Sequence, residues 1–181
     1  MIRLNAALTA LAIGLSGCTT LGQIPTSKLA VGTLKSANGA PTGTVVLVAA
    51  GEEVTINVAA IGLPKGIHGL HLHMTGSCNA PDFKSAGGHL NPHGMQHGSA
   101  NPAGSHLGDL PNLVADNYGA GTVTATLRDS RSAVEAALFD TDGTAIVIHA
   151  DPDDNRTDPS GNSGARIACA VLTRRDRKSV V

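Results

Sequence analysis

Histidine clustering constrains this chain more than any other feature of its sequence. All eight histidines lie between positions 68 and 149, and three of them fall in the run Gly-Ile-His-Gly-Leu-His-Leu-His of residues 66–73. Successive side chains of a strand alternate between its two faces, so His71 and His73 project to the same side. Two imidazoles one pleat apart can bind one metal ion, and histidine is the commonest metal ligand. The run therefore predicts a strand that carries metal ligands.

A second histidine-rich segment follows at residues 89–109. It contains His89, His93, His97, His106 and Asp109, with Gly, Pro, Asn and Ser between them and no hydrophobic periodicity, which predicts a long loop. Loops this long in compact domains are usually functional, and a bound metal would supply ordering that a missing core cannot. Three histidines and one aspartate are typical of a closed tetrahedral zinc site. A single histidine would more often be a surface or core residue, but the joint pattern favours more than one metal site.

The rest of the composition favours β-structure. The 181 residues suffice for one domain with its own core, and 22 Gly and 9 Pro with many Val, Ala and Thr favour short strands and turns over helices. Residues 54–58 and 122–127 alternate as half-buried antiparallel strands do, and Asn38-Gly39 predicts a hairpin turn. The expected fold is all-β, an eight-stranded Greek-key flattened barrel or sandwich with two long functional loops. The candidate strands are residues 29–34, 43–49, 54–61, 67–74, 112–115, 121–127, 145–149 and 166–172.

The N-terminal residues predict export and lipid attachment. Arg3 precedes an apolar stretch at residues 6–15, too short to span a bilayer, which is the layout of a secretory signal. The ending Leu-Ser-Gly-Cys resembles the lipobox of bacterial lipoproteins, in which Cys18 is acylated; an ordinary signal peptide cut nearby is the alternative. We expect a signal peptide at 1–17, a lipidated Cys18 with a flexible tether at 18–29, a domain at 30–173 and a basic tail at 174–181. The expected location is the periplasmic side of a bacterial cell envelope, with Thr19 directing the lipid anchor to the outer membrane.

The charge balance gives no sign of a nucleic-acid partner. The chain has 13 Lys and Arg against 14 Asp and Glu, and removal of Arg3 with the signal peptide leaves 12 − 14 = −2. We therefore expect no nucleic acid, and a membrane contact only through the lipid on Cys18.

The histidine pattern, taken with the residues around it, resembles copper,zinc superoxide dismutase. The resemblance covers residues 30–173 and is closest to the secreted and lipoprotein branch found in bacteria. It is carried in order and nearly in spacing by His71, His73, Cys78, the Gly-His-Leu-Asn-Pro run of residues 88–92, His97, the His-Leu-Gly-Asp run of 106–109, His149 and the Gly-Asn-Ser-Gly-Ala-Arg-Ile-Ala-Cys run of 161–169.

This resemblance implies two cofactors, a copper ion and a zinc ion. Copper is redox active and favours tetragonal nitrogen coordination, whereas zinc is neither redox active nor geometrically demanding. The implied activity is dismutation of superoxide to dioxygen and hydrogen peroxide, with the His89 imidazolate bridging the metals and passing a proton to the departing peroxide. The implied ligands are His71, His73, His89 and His149 for copper, and His89, His97, His106 and Asp109 for zinc.

The resemblance also implies roles for residues around the metals. Arg166 would hold and steer the superoxide anion by charge and hydrogen bonding. Asp153 would accept hydrogen bonds from His71 and His97 and so fix their ring orientation. His68 would support the copper site without binding metal. Without the family match, Arg166 and Asp153 would be solvated surface charges.

Cysteine use agrees with an oxidising compartment. The resemblance implies an intrasubunit disulfide between Cys78 and Cys169, and these two remain as an even pair when Cys18 carries lipid. His93 has no role in the family, and we expect an ordinary loop histidine there.

The chain departs from the animal-type pattern in its loops. Cys78 and His89 are farther apart, and residues 150–165 form a shorter, Asp-rich loop that lacks a lysine near Pro159. Steering charge is therefore expected from Arg166 with Lys84 or Arg156. Members of the bacterial branch dimerise through a different face or not at all, so a monomer and a homodimer both stay open.

Two alternatives belong to other functional classes. One is a non-catalytic copper- or zinc-binding envelope protein of the same fold, which typically lacks copper ligands or the arginine. The other is a copper-only dismutase, which would lack His97, His106 and Asp109. None of these residues is missing here, so we expect a superoxide dismutase.

Overall fold

A computed structural model of the chain describes residues 25–175. The predicted signal peptide at 1–17, the lipid site at Cys18 and the part of the basic tail beyond residue 175 lie outside the described residues. Between residues 25 and 175 no helix has the length and apolar character needed to cross a membrane.

The described residues form ten strands, one short 3-10 turn and one α-helix. The helix α1 spans Arg131–Leu138 and the 3-10 turn spans Lys84–Ala86. The strands are β1 (Thr26–Ser36), β2 (Pro41–Ala50), β3 (Glu53–Ala60), β4 (Gly66–His68), β5 (Leu70–His73), β6 (Leu113–Ala115), β7 (Gly121–Thr126), β8 (Ala145–His149), β9 (Arg166–Val171) and β10 (Thr173–Arg174).

One antiparallel sheet contains most of these strands. Its order is β5-β8-β9-β1-β2-β3-β7, with β10 paired to β1, while β4 and β6 form a separate two-stranded ribbon. Alternation along β2 and β3 turns side chains such as Val45, Leu47, Ile56 and Val58 into the core. Strands distant in sequence are neighbours in the sheet, and the predicted all-β Greek-key fold is confirmed.

Strands β5 and β8 differ from the others because every residue in them is buried. On one face, Leu70 and Leu72 of β5 pack with Ile146 and Ile148 of β8 in the main core. The opposite face is covered by long loops, and there Val147 packs in a smaller apolar cluster. His71 and His73 alternate with the two leucines, so they lie on this loop-covered face.

The predicted strand at 67–74 is wrong as one element, because it is divided at Gly69. The backbone N–H of Gly69 donates to Asp151 of a loop at 2.8 Å, and its carbonyl accepts from the N–H of His149 at 2.8 Å. A Cβ at Gly69 would lie 2.7 Å from Cβ of Ser163, so the loop's close approach requires glycine there. The bend separates His68 on β4 from the two histidines on β5.

Two domain boundaries and one helix also differ from the sequence prediction. The tether predicted at 18–29 is wrong over 26–29, because β1 begins at Thr26 and pairs there with Ala50 of β2. The tail predicted from Arg174 begins inside the sheet, since Arg174 of β10 pairs with Ala30. Helix α1 was not predicted. Ser130 caps its N-terminus, with its Oγ accepting from the N–H of Ala133, and the helix buries only two side chains, too few for a clear helical period.

Candidate metal centre

Three separate parts of the chain bring the first group of histidines together. His71 and His73 lie on β5, and His149 ends the neighbouring strand β8. His89 comes from the long loop and reaches them because it forms an isolated antiparallel bridge with His73. Each of the four histidines offers a ring nitrogen, and these atoms all lie within 4.8 Å of one another.

These nitrogens are buried and have no hydrogen-bond partner in the described part of the chain. The atoms concerned are Nδ1 of His71 and Nε2 of His73, His89 and His149. A buried ring nitrogen without a partner is costly, because it has lost water and gained nothing. Four of them converging on one point form a donor set that a metal ion satisfies.

The second nitrogen of three of these rings is engaged by the protein, which fixes which nitrogen is free. A ring N–H that donates on one side leaves a lone pair on the other, and such contacts orient metal-binding histidines. The contacts run from Nε2 of His71 to Oδ2 of Asp153 at 2.8 Å, from Nδ1 of His73 to the carbonyl of Gly87 at 3.0 Å and from Nδ1 of His149 to the carbonyl of Gly164 at 3.3 Å.

Burial keeps His73, His89 and His149 neutral. It lowers the pKa of His73 to about 2 and that of His149 to about 3, and neighbouring histidines add to the effect. Burial also lowers the pKa of His89 to about 4, with Asp109 partly opposing it. Neutral imidazole is the form that binds a metal, so these rings are ready as ligands at neutral pH.

A second group of donors surrounds Oδ1 of Asp109. This oxygen lies 3.1 Å from Nδ1 of His89, 3.0 Å from Nδ1 of His97 and 3.1 Å from Nδ1 of His106. Nδ1 of His106 and Nδ1 of His89 are 3.4 Å apart. Ligand atoms of a tetrahedral zinc with bonds of about 2.0–2.1 Å lie about 3.3 Å from one another, so the spacing fits this ion.

Proximity alone would put His71 rather than His106 in the second group, with His89, His97 and Asp109. The hydrogen bonds favour His106 instead. Nε2 of His71 donates to Asp153 and its Nδ1 belongs to the first group. His106 directs Nδ1 at the carboxylate of Asp109, so His106 is the better fourth member.

The charges of the second group are strongly coupled. Burial alone would lower the pKa of His97, but contacts with Asp109 and Asp153 outweigh it and raise that pKa to about 9. Burial would likewise raise the pKa of Asp109, yet hydrogen bonds from His89 and His97 hold it well below its usual range. Asp109 is therefore ionised, and its carboxylate with three imidazoles forms a donor set that suits a divalent cation.

Asp153 connects the two groups. Its Oδ2 accepts from His71 at 2.8 Å and its Oδ1 accepts from Nε2 of His97 at 2.9 Å. Sequence reasoning missed the residue that holds this loop: Nδ2 of Asn112 donates to the carbonyl of Asp153 at 2.9 Å, and Oδ1 of Asn112 accepts from its N–H at 2.9 Å. An asparagine 41 positions away carries no sequence signal for that contact.

Arg166 stands beside the first group. It starts β9 opposite His149, and its guanidinium donates from Nη1 to the carbonyl of Phe83 and from Nη2 to that of Gly87, both at 2.7 Å. The Gly87 carbonyl also accepts from His73, so one peptide group positions both the arginine and a histidine. Burial lowers the pKa of Arg166, and the nearby charge of Asp82 opposes that change.

A disulfide ties this arginine-binding loop to the sheet. Cys78 and Cys169 are bonded, with their Cα atoms 5.7 Å apart, as the sequence predicted. Cys169 lies on β9 three residues after Arg166, and Cys78 precedes the segment whose carbonyls bind the arginine. The disulfide thereby links the strand that carries Arg166 to the segment whose carbonyls bind it.

The remaining predicted residues lie outside the two donor groups. His68 is buried, with Nδ1 2.8 Å from the carbonyl of His149 and Nε2 2.8 Å from that of Pro64, which leaves no nitrogen for a metal. His93 is exposed and its Nε2 lies 2.7 Å from Oδ2 of Asp129.

The other two candidate steering cations are both exposed. Lys84 lies next to Phe83, whose carbonyl binds Arg166, and Arg156 lies in the loop after β8.

Comparison with known proteins gives a consistent result. The family model described as copper/zinc superoxide dismutase matches residues 41–172. A copper-zinc superoxide dismutase of Caulobacter vibrioides is 39% identical over 176 residues, covering 95% of this chain and 99% of the relative. One from Aquifex aeolicus is 41% identical over 145 residues, covering 77% of this chain and 83% of the relative.

Solved structures agree with these relatives. A superoxide dismutase-like protein from Bacillus subtilis matches with a TM-score of 0.75 and 38% identity, covering 81% of this chain and all of that one. The Cu/Zn superoxide dismutase from Brucella abortus matches with a TM-score of 0.64 and 27% identity, over 82% of this chain and all of that one.

Proposed function

The chain belongs to the copper/zinc superoxide dismutase family, and we propose that His71, His73, His89 and His149 hold its copper. One observation carries this assignment: their four buried nitrogens converge without protein partners in the described residues. Nitrogen donors suit copper(II), and the protein already fixes the tautomers that leave these atoms free.

The zinc ligands in this proposal are His89, His97, His106 and Asp109. Their support is the 3.0–3.1 Å separation of three Nδ1 atoms from Oδ1 of Asp109, with the Nδ1 atoms of His89 and His106 3.4 Å apart. His89 is the member common to both sites, since its Nδ1 faces Asp109 and its Nε2 faces the first group. One imidazole ring thus bridges the two positions.

The protein is a superoxide dismutase that converts superoxide to dioxygen and hydrogen peroxide. Copper, when bound, supplies the one-electron chemistry by which one superoxide is oxidised and the next is reduced. Within the protein, Nε2 of His89 is the atom placed to hold a proton for the departing peroxide, while its Nδ1 contact with Asp109 keeps the ring in position. Arg166 supplies the fixed positive charge that attracts and orients the anion.

A non-catalytic metal-binding role is not favoured. Such a protein has no need of an anion-binding cation beside the copper donors, yet two carbonyls hold Arg166 there. All proposed donors are also present and grouped.

Metal analysis with a superoxide-decay assay tests the assignment. His149→Ala is expected to lose copper and activity while zinc stays bound, because His149 belongs to the first group alone. His106→Ala is expected to lose zinc first and to retain slow copper chemistry. His93→Ala, which removes a surface histidine, is the matched control and should keep both metals. Equal loss of both metals from His149→Ala and His106→Ala would contradict two distinguishable sites.

We further propose that the protein is a lipid-anchored component of a bacterial envelope. The lipobox-like ending at Cys18 supports this, and so does the Cys78–Cys169 disulfide, which is typical of an oxidising compartment such as the periplasm. Cys18→Ser should abolish incorporation of labelled palmitate and release the protein from the membrane fraction. A Cys18→Ser protein that still takes up label would contradict the lipid site.

A further inference from the structure

Two adjoining cavities lie beside the zinc-side residues, and Arg166 lines neither of them. Their volumes are about 170 and 260 Å³, and both are lined by Asp109, Leu110, Pro111 and Arg128. His106 lines the smaller one. At about 30 Å³ for each water in the liquid, the smaller cavity has room for a few waters or one tetrahedral anion.

His106 offers a hydrogen-bond donor to this space. Its Nδ1 lies among the zinc-side donors, 3.1 Å from Oδ1 of Asp109. Its Nε2 has no hydrogen-bond partner within residues 25–175, and this atom is accessible to solvent. When Nδ1 binds a metal, the proton of a neutral imidazole must sit on Nε2, so that atom becomes a donor.

Arg128 supplies positive charge to the same space. It is exposed, follows β7 by two positions, and forms no ion pair with another described residue. Arginine presents N–H groups that match the oxygens of phosphate and carboxylate. A free guanidinium lining a cavity therefore favours an anion there.

Asp109, the acidic residue of the cavity wall, has both carboxylate oxygens engaged, and the zinc ion that it is proposed to bind would offset its charge. Oδ1 of Asp109 faces the zinc-side nitrogens, and its Oδ2 accepts from the N–H of Gly98 at 2.9 Å and of His106 at 3.0 Å. Both oxygens thus have partners within the protein. The neighbouring Asp129 is engaged by His93.

We propose that the smaller cavity is a binding site for a small oxyanion, held by the guanidinium of Arg128 and by Nε2–H of His106. The inference rests on His106 being a zinc ligand, as proposed above. Zinc fixes the proton on Nε2, so zinc and the anion favour each other's binding, and this coupling is reciprocal. The site would thereby slow zinc loss in a phosphate-containing environment.

Inorganic phosphate is the probe, added to the metal-loaded protein at constant ionic strength. Titration calorimetry should show saturable binding that Arg128→Gln weakens at least about tenfold, as expected for loss of a charge-assisted hydrogen bond. Phosphate should also slow zinc transfer to a chromogenic chelator in the natural protein but not in Arg128→Gln. Lys65→Gln removes another exposed cation without an ion pair in residues 25–175 and is the matched control.

The outcomes separate this site from the enzyme assignment, because zinc content and superoxide decay are measured on the same samples. Equal phosphate affinity in Arg128→Gln and the natural protein overturns the anion site, as does equal weakening by Lys65→Gln. Normal zinc and activity with no saturable phosphate binding overturn the anion site alone. A His106→Ala protein that keeps its zinc overturns the ligand assignment and with it the proposed coupling.

Discussion

Asp153 and His71 form a buried hydrogen bond, with 2.8 Å between Oδ2 and Nε2. The other oxygen of the carboxylate accepts from His97 at 2.9 Å. A single side chain therefore orients one proposed ligand of each metal, and its own backbone is held by Asn112. Coupling between the two sites has a second route besides the His89 ring.

Asp153→Asn should weaken zinc binding by roughly 10–100-fold, the usual cost of losing a residue that orients a metal ligand. An asparagine can accept from only one of the two histidines, and its NH₂ group would face the other N–H. Competition with a zinc chelator measures the effect. Asp151→Asn, an exposed carboxylate two positions away, is the control and should bind zinc normally. Unaltered zinc affinity in Asp153→Asn would show that the bridge does not orient the ligands.

Arg166 variants should lower the second-order rate in the order Glu, Ala, Lys, with Glu lowest and both metals retained. A cation beside the site raises encounter with a small anion, and salt screens it over a Debye length of about 8 Å at physiological ionic strength. The rate of the natural enzyme should therefore fall as salt rises, and Arg166→Glu should flatten or reverse that slope. Pulse radiolysis across a salt series measures both. Arg175→Glu tests whether position matters, and an effect equal to that of Arg166→Glu would contradict a local role.

Asp82→Asn should raise the rate by about twofold at low salt, because it removes a negative charge near the approaching anion. Asp82 is close enough to affect the pKa of Arg166, and it pairs with exposed Lys84 at 3.2 Å between Oδ2 and Nζ. Lys84→Gln is the matched opposite change and should lower the rate. Both effects should vanish at high salt. A shift in the same direction for both variants would contradict electrostatic steering by this pair.

Much of the fold was predictable from the sequence because its signals are local. Alternation fixed the inward faces of β2 and β3, and Asn38-Gly39 marks the turn between β1 and β2, where Gly39 adopts a φ of 83°. Helix α1 could not be predicted because only Val134 and Leu138 turn inward. The break at Gly69 could not be predicted because it depends on a loop some eighty positions away.

The donor residues were predictable as a pattern, but their atoms were not. The sequence identifies histidines, whereas the free nitrogen of each depends on contacts such as His73 with Gly87 and His149 with Gly164. Those contacts join positions separated by 14 and 15 residues through loop geometry. The supporting role of Asn112 has the same origin.

Cys169→Ser should reduce the free energy of unfolding by an amount on the order of 4 kcal/mol, the loop-entropy value for a bond joining residues 91 positions apart. It should also lower activity, since the segment carrying the Phe83 and Gly87 carbonyls is released from β9. Denaturant unfolding of the metal-loaded protein measures stability. Reduction of the natural protein with a thiol should reproduce both effects, and reduction should leave Cys169→Ser unchanged. Full stability in Cys169→Ser would contradict the bond's contribution.

The metal-free protein should lose stability on acidification from about pH 6.5 downward. In the unfolded chain His73, His89 and His149 titrate near 6.5, whereas burial lowers their folded pKa values to about 2, 4 and 3. The unfolded state therefore binds up to three more protons as pH falls below 6.5, and the free energy of unfolding falls with it. Asp109 and Asp153, whose pKa values are also lowered, extend the loss at more acid pH.

The pKa shift of His97 affects the stability in the opposite direction. Asp109 and Asp153 raise its pKa to about 9, so its contribution is fully present below about 6.5 and is lost as pH rises toward 9. The free energy of unfolding of the metal-free protein should thus be highest near pH 6.5. On the acid limb its slope against pH corresponds to up to three protons, and on the alkaline limb to one. Urea unfolding of chelator-treated protein across pH 5 to 9 measures both limbs, and metal-loaded protein is the control, since bound histidines cannot take up protons. An alkaline limb steeper than the acid one would contradict the burial of three neutral histidines.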